Sequence, residues 1–182
     1  MAKVILITGG SRSGKSAYAQ ELAERLPGPR AYVATCPIVD AEMQERVKKH
    51  QHERSGQQWD TIEETTALRG VLNDADKYQV LLVDCLTLWV SNLLYEAEQQ
   101  GCRLAEEKIE CLCRDILATC LDRSGTVILV TNEVGMGIVP ENEVARRFRD
   151  LAGRCNQDMA AGADEVILIA CGLPIHLKGV ER

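Results

Sequence analysis

The stretch Gly9-Gly10-Ser11-Arg12-Ser13-Gly14-Lys15-Ser16 constrains this chain more than any other. It follows the apolar run Val4–Thr8, precedes a helical stretch, Ala17–Leu26, and fits G-x-x-x-x-G-K-[ST] in the strand–loop–helix setting that motif needs. The glycines let the backbone fold tightly, so that successive N–H groups point at one phosphate. The new helix adds the positive end of its dipole. Lys15 is expected to reach the β- and γ-phosphates, and the Ser16 hydroxyl to take one position on Mg²⁺. A glycine-rich turn with a chance lysine is the alternative, and four specified positions in that setting disfavour it. The chain is expected to bind a nucleoside triphosphate.

The rest of the chain alternates in the same way. Ala31–Thr35 reads as a second strand and Gln58–Glu63 as a short extended segment, followed by a helix from Thr65 to Asn73 capped by Thr65 or Thr66. Val80-Leu81-Leu82-Val83-Asp84 has the form of a Walker-B strand, whose terminal carboxylate joins the Mg²⁺ shell. Helices over Leu86–Glu96 and Leu104–Asp122, a strand Thr126–Thr131 and a helix Glu143–Ala161 come next. Glu165–Ala170 and Ile175–Leu177 lie close enough to form a hairpin, which makes one edge strand antiparallel. The alternation predicts an α/β fold, a largely parallel sheet between helical layers, and 182 residues suit a single domain over 1–182.

Composition narrows the partners. Aromatics are only 4% of residues, so the core must be aliphatic, and a net charge of −6 argues against broad nucleic-acid binding. No apolar stretch approaches membrane-spanning length, and the N-terminal apolar run is too short for a signal peptide. Eight cysteines lie in predicted strands and helices, without C-x-x-C pairs or a stapled-domain spacing. Reduced, buried thiols in a cytoplasmic protein are the expectation.

Three further stretches leave alternatives open. Asp40 is a plausible N-cap of a helix running to Arg54, on which Val39, Met43, Val47, His50 and Arg54 share one face. His50 is then either a satisfied core histidine or, beside the phosphate site, a base or nucleophile, whereas His52 falls on the charged side. After Thr131, Asn132 and Glu133 either contact substrate or metal or cap the turn of a loop running to Asn142. That place also lacks the N-K-x-D element of guanine-specific switch GTPases, so the base is not readable from spacing. Arg146, Arg147, Arg149 and Arg154 read mainly as a solvated helix face, with some facing a triphosphate or a neighbouring subunit.

These residues together resemble the bifunctional adenosylcobinamide kinase/adenosylcobinamide-phosphate guanylyltransferase family of cobalamin biosynthesis. The likeness runs over almost the whole chain and is most specific at Val130–Asn142, Ala145-Arg146 and Phe148–Arg154. It includes Ile7–Ser16, Tyr32–Thr35, Asp40-x-Glu42-Met43 through Arg46, His50 and Arg54, and Trp59-x-Thr61-x-Glu63. The resemblance implies a P-loop NTPase-type (RecA-like) three-layer fold and two reactions. Adenosylcobinamide is phosphorylated with ATP or GTP; GTP then gives GMP to a histidine, and the GMP passes to adenosylcobinamide phosphate. The matching histidine is His50, and Lys15 stands in the catalytic loop. By the same resemblance Gly9, Gly10, Ser11, Arg12, Ser13, Gly14, Lys15 and Ser16 hold phosphates, and Ala34, Thr35 and Cys36 flank the nucleotide. Gln51, His52, Glu53 and Arg54 lie beside the transferred group, Glu63 belongs to the nucleotide site, and Ser16 and Asp84 hold Mg²⁺. The family more often has Glu at the position of Asp84, a change that keeps a carboxylate. It also implies a propeller-like homotrimer. A kinase lacking the guanylyl step and a nucleotide-driven assembly module are the competing functions.

Overall fold

The computed structural model describes residues 1–37 and 59–179. The predicted helix over 40–54 lies outside them, and with it His50, Gln51, His52, Glu53 and Arg54. The chain begins with β1 (Lys3–Gly9), α1 (Lys15–Glu24), β2 (Arg30–Ala34) and β3 (Trp59–Glu63). It continues with α2 (Leu68–Asp74), β4 (Val80–Asp84), α3 (Leu86–Gln99) and α4 (Glu106–Asp122). It closes with β5 (Thr126–Val130), a 3₁₀ turn (Val134–Met136), α5 (Glu143–Gly162), β6 (Glu165–Ala170) and β7 (Leu173–Lys178).

The seven strands form one sheet in the order β3-β2-β4-β5-β1-β6-β7. All neighbours are parallel except β7, which returns antiparallel on β6 through a tight turn at Cys171 and Gly172. Strand β5 therefore lies between the glycine-loop strand β1 and the Asp84 strand β4. Central strands are apolar on both faces because both faces are covered. Val4 and Leu6 of β1, Leu81 and Val83 of β4, and Val127 and Leu129 of β5 pack beneath α2, α3, α4 and α5. The alternate residues Ile5, Ile7, Val80, Leu82, Ile128 and Val130 pack with Ala19 and Ala23 of α1. The result is the expected three-layer α/β arrangement, with α1 on one face and four described helices on the other.

Local chemistry departs from the sequence reading at several places. Neither Thr65 nor Thr66 caps α2; the Glu64 carboxylate does the equivalent work, accepting from the Thr66 and Ala67 N–H groups at 2.8 Å each. Those hydrogen bonds hold the Glu64 pKa below its ordinary value. A carboxylate with a lowered folded pKa adds stability above its unfolded pKa and loses it as pH falls through the folded one. Glu64→Gln is expected to cost about 1 kcal/mol at pH 7, a difference that closes below about pH 4 in urea titrations. A pH-independent difference would assign the effect to packing instead. The cysteines also divide: Cys85, Cys113, Cys120 and Cys155 are buried, Cys36 is half-buried, and Cys102, Cys111 and Cys171 are exposed. None of the eight forms a disulfide. Among the described residues no helix is long and apolar enough to cross a membrane.

Candidate nucleotide-binding and transfer site

Parallel register sets the site before any loop does. Glu63, Ala34 and Asp84 are paired level across the carboxyl ends of β3, β2 and β4, and Asp84 is level with Val130 and so with Ile7. Ligands of open α/β sheets collect beyond such strand ends. The glycine loop leaves β1 two residues past Ile7.

In the loop, the Ser13 N–H donates to Gly10 O at 3.3 Å, and Gly14, with φ of 93°, turns the chain into α1. Lys15 is buried, and its Nζ donates to Gly10 O at 3.1 Å. Burial lowers its pKa; the neighbouring Asp84 carboxylate pulls it back up. A lysine enclosed in this way gains most when an anion arrives. Among the described residues the buried Ser13 hydroxyl has no hydrogen-bond partner, a polar group of the loop left unsatisfied. These two features fit a polyphosphate. The turn between β6 and β7 braces the loop from behind, where the Gly172 N–H donates to Ser13 O at 2.9 Å.

Asp84 is half-buried at the end of β4, and the Tyr32 hydroxyl donates to its Oδ2 at 3.0 Å. Among the described residues no hydrogen bond occupies Oδ1. No cluster of three or more His, Cys, Asp or Glu side chains among the described residues could cage a metal. Mg²⁺ needs no such cage: it keeps several waters and binds through one or two protein oxygens plus substrate phosphates. Asp84 with Ser16, at the first turn of α1, fits that pattern. Directly after Asp84, burial pushes the Cys85 thiol up to about 12, so it stays protonated beneath the site.

Thr35 is fully buried, and its hydroxyl exchanges hydrogen bonds with Cys85, donating to the carbonyl at 2.8 Å and accepting from the N–H at 2.7 Å. Its contribution is to lock the end of β2 to the end of β4. Asn92 of α3 secures the same corner, donating to Thr35 O and Thr65 O. Ala34 is half-buried, Cys36 half-buried and Glu63 exposed at the sheet edge.

The end of β5 carries a chain of polar groups. Asn132 N–H donates to the Thr87 hydroxyl (2.7 Å), which pairs with the Thr131 hydroxyl (3.2 Å), which donates to Asn156 Oδ1 (2.6 Å). Asn156 Nδ2 donates to Asn132 O and to Glu133 Oε1, which also accepts from Thr8 Oγ1 at 2.7 Å. Glu133 thus neither caps the turn nor faces bulk solvent alone; it is tied to the residue before the glycine loop. The arginines of α5 also differ from a solvated face. Arg146 donates to Pro140 O and Glu141 O, Arg149 to Gly135 O, and Arg147 to Leu104 O. Arg154 pairs with Glu110 at 2.6 Å. They staple the loop after β5 and the start of α4 to one helix.

A family model described as cobinamide kinase / cobinamide phosphate guanyltransferase matches residues 5–177. The chain belongs to this family. It is 40% identical to a bifunctional adenosylcobalamin biosynthesis protein of Escherichia coli K12, over 96% of this chain and 99% of that one. It is 41% identical to the protein of the same name from Salmonella typhimurium LT2, with the same coverage. A third relative, from Pseudomonas aeruginosa PAO1, is 42% identical over 96% of each chain. Among solved structures, a KaiC-like protein of Pyrococcus horikoshii OT3 superposes with a TM-score of 0.50 at 16% identity, over 91% of this chain and 71% of that one. That likeness shows the fold alone and says nothing of substrate.

Within this cobinamide kinase/guanyltransferase chain, the loop residues 9–16, Ala34, Thr35 and Asp84 gather at one end of the sheet. Glu63 stands further out on the edge strand. Sequence reasoning passed over Asn92 and Asn156, and gave Tyr32 no role of its own. A signal existed for Asn156, a lone amide on the buried face of α5 beside Leu151, Ala152, Cys155 and Met159. Tyr32 entered only within the resemblance at Tyr32–Thr35, and by its chemistry reads as one more β-former.

Proposed function

We infer that this chain phosphorylates adenosylcobinamide with ATP or GTP and then transfers GMP from GTP, through a guanylyl-histidine at His50, to the phosphate it has made. The phosphate cradle carries the reading: buried Lys15, the open Ser13 hydroxyl and the backbone N–H groups of residues 9–16, with Asp84 opposite. Family membership supplies the substrate class. In the first step the aminopropanol hydroxyl attacks the γ-phosphorus while Lys15 and the loop N–H groups offset charge on the leaving oxygens. Bound Mg²⁺, held by Ser16 and Asp84 in this reading, supplies Lewis-acid charge neutralisation. Tyr32 fixes the Asp84 carboxylate for that duty, as outer groups commonly orient ligands. In the second step neutral imidazole, with an ordinary pKa near 6.5, attacks the α-phosphorus and pyrophosphate leaves. Gln51, His52, Glu53, Arg54, Cys36 and Glu63 are assigned to the nucleotide by resemblance. The enzyme is proposed to be cytoplasmic, a compartment that suits eight cysteines without a disulfide. It is also proposed to be a homotrimer, a reading supported by the exposed apolar residues Tyr95, Val144, Leu173, Ile175 and Leu177. A sedimentation mass near three times 20.1 kDa would support the trimer.

GTP labelled at the α-phosphate tests the transferase directly. Acid-labile, alkali-stable label is expected on the denatured protein, absent in His50→Ala and retained in His52→Ala. Tight GTP binding without label would remove the guanylyl-histidine and leave a plain kinase.

A further inference from the structure

Glu133 has a placement that the phosphate cradle does not explain. It stands just beyond β5, the strand flanked by β1 with its glycine loop and by β4 with Asp84. Its N–H donates to Gly9 O at 3.1 Å, extending the β1–β5 ladder into the loop. Its Oε1 accepts two hydrogen bonds, from Thr8 Oγ1 at 2.7 Å and Asn156 Nδ2 at 3.1 Å. The donors upstream are all spent in one direction. Thr131 gives its proton to Asn156 Oδ1, so Thr87 must give its own to Thr131 while accepting from Asn132 N–H. That order leaves the Asn156 amide nitrogen to donate to Asn132 O and to Glu133, and the series ends on a carboxylate oxygen. The other oxygen, Oε2, has no partner among the described residues.

Only one of the reactions proposed above needs such a group. Attack by imidazole uses a lone pair already free at neutral pH, and the acceptor in guanylyl transfer is a phosphate that is already anionic. The acceptor in the kinase step is an alcohol, which must lose a proton as its oxygen bonds to phosphorus. Asp84 is oriented by Tyr32 for metal duty, and Glu63 is exposed two strands beyond Asp84's edge of the site.

We propose that Glu133, held by Thr8 and Asn156, is the general base of the kinase step. The substrate oxygen forms its bond to the γ-phosphorus, the bond from that phosphorus to the β–γ bridging oxygen breaks, and nucleoside diphosphate leaves. The hydroxyl proton passes to Glu133 Oε2. Thr8 and Asn156 are positioning residues, since they act through the carboxylate. The proposal rests on the kinase reading above, and the test separates the two.

Glu133→Gln keeps both hydrogen bonds within reach but removes the base. Single-turnover transfer from γ-labelled nucleotide to adenosylcobinamide is expected to fall about 10²–10⁴-fold, in kcat rather than KM. Label taken up from α-labelled GTP by the same preparation is expected to fall at least tenfold less. Melting curves and fluorescent-nucleotide binding establish that the variant is folded. Should it not fold, Glu133→Asp, which keeps the charge and withdraws the oxygen, is read in the same way. Parallel loss of both labels in a folded variant overturns the proposal, because a purely structural Glu133 would disturb both. Retention of γ-transfer within tenfold overturns it too. Failure of the unsubstituted enzyme to transfer γ-phosphate at all overturns the kinase reading first, and this proposal with it.

Discussion

Lys15→Met is expected to reduce γ-phosphoryl transfer by about 10²–10³-fold or more and to leave the protein as stable as before, or more so. The two halves of that expectation come from one observation. The lysine is 8% exposed, and its neighbours offset only part of the cost of burial, which is why its pKa is lowered. Methionine matches the aliphatic stem and removes the charge, so the empty protein loses a desolvation penalty. The nucleotide complex loses its fixed cation at the leaving phosphate, where preorganised charge is worth most. Fluorescent-nucleotide titration should show affinity weakened by tenfold or more, equivalent to about 1.4 kcal/mol, while the melting temperature stays level or rises. Transfer kept near the parent rate would mean that another cation does this work. A large fall in melting temperature would mean that the Nζ–Gly10 contact at 3.1 Å holds the empty loop together.

What could be read from the sequence was whatever depends on neighbours along the chain. The phosphate loop, the strand ending in Asp84 and the hairpin of Glu165–Ala170 with Ile175–Leu177 all carry their geometry within a few residues; each is present, the last strand running longer, over Leu173–Lys178. The α/β class followed from alternation. The sheet order did not, because nothing local says that β5 runs between β1 and β4. That order turns Glu133 from a turn residue into a group bonded to Thr8, a contact 125 residues apart in sequence. It also brings Tyr32 to Asp84 across 52 residues. The α5 arginines misled for a related reason. Spacing along a helix shows which residues share a face but not which carbonyls of a distant loop that face meets, and Arg146 and Arg149 meet Pro140, Glu141 and Gly135. The family resemblance reached further than local chemistry, since it named the fold and the two reactions before any packing was known.

The two adjacent glycines that open the loop give the second large expectation, since the fold treats them oppositely. A Cβ on Gly9 would lie 2.5 Å from Ile169 O and 2.7 Å from the Ser13 hydroxyl. The first contact cannot yield, because Gly9 and Ile169 are register partners in the β1–β6 ladder. The second could yield only by moving the hydroxyl that stands open in the cradle. Gly9→Ala should therefore cost about 1–3 kcal/mol of stability as an overpacked site, and reduce nucleotide affinity by tenfold or more. A Cβ on Gly10 meets nothing within 4 Å, so Gly10→Ala should stay within about 0.5 kcal/mol in the absence of ligand. Urea titrations of the two variants, with and without nucleotide, separate the causes. If both glycines prove equally intolerant in the empty protein, backbone freedom in the loop is what matters, and the clash with β6 is not. If only Gly9 is intolerant, the first glycine of the motif is required because β6 runs beside it, and the second position is free because it faces outward.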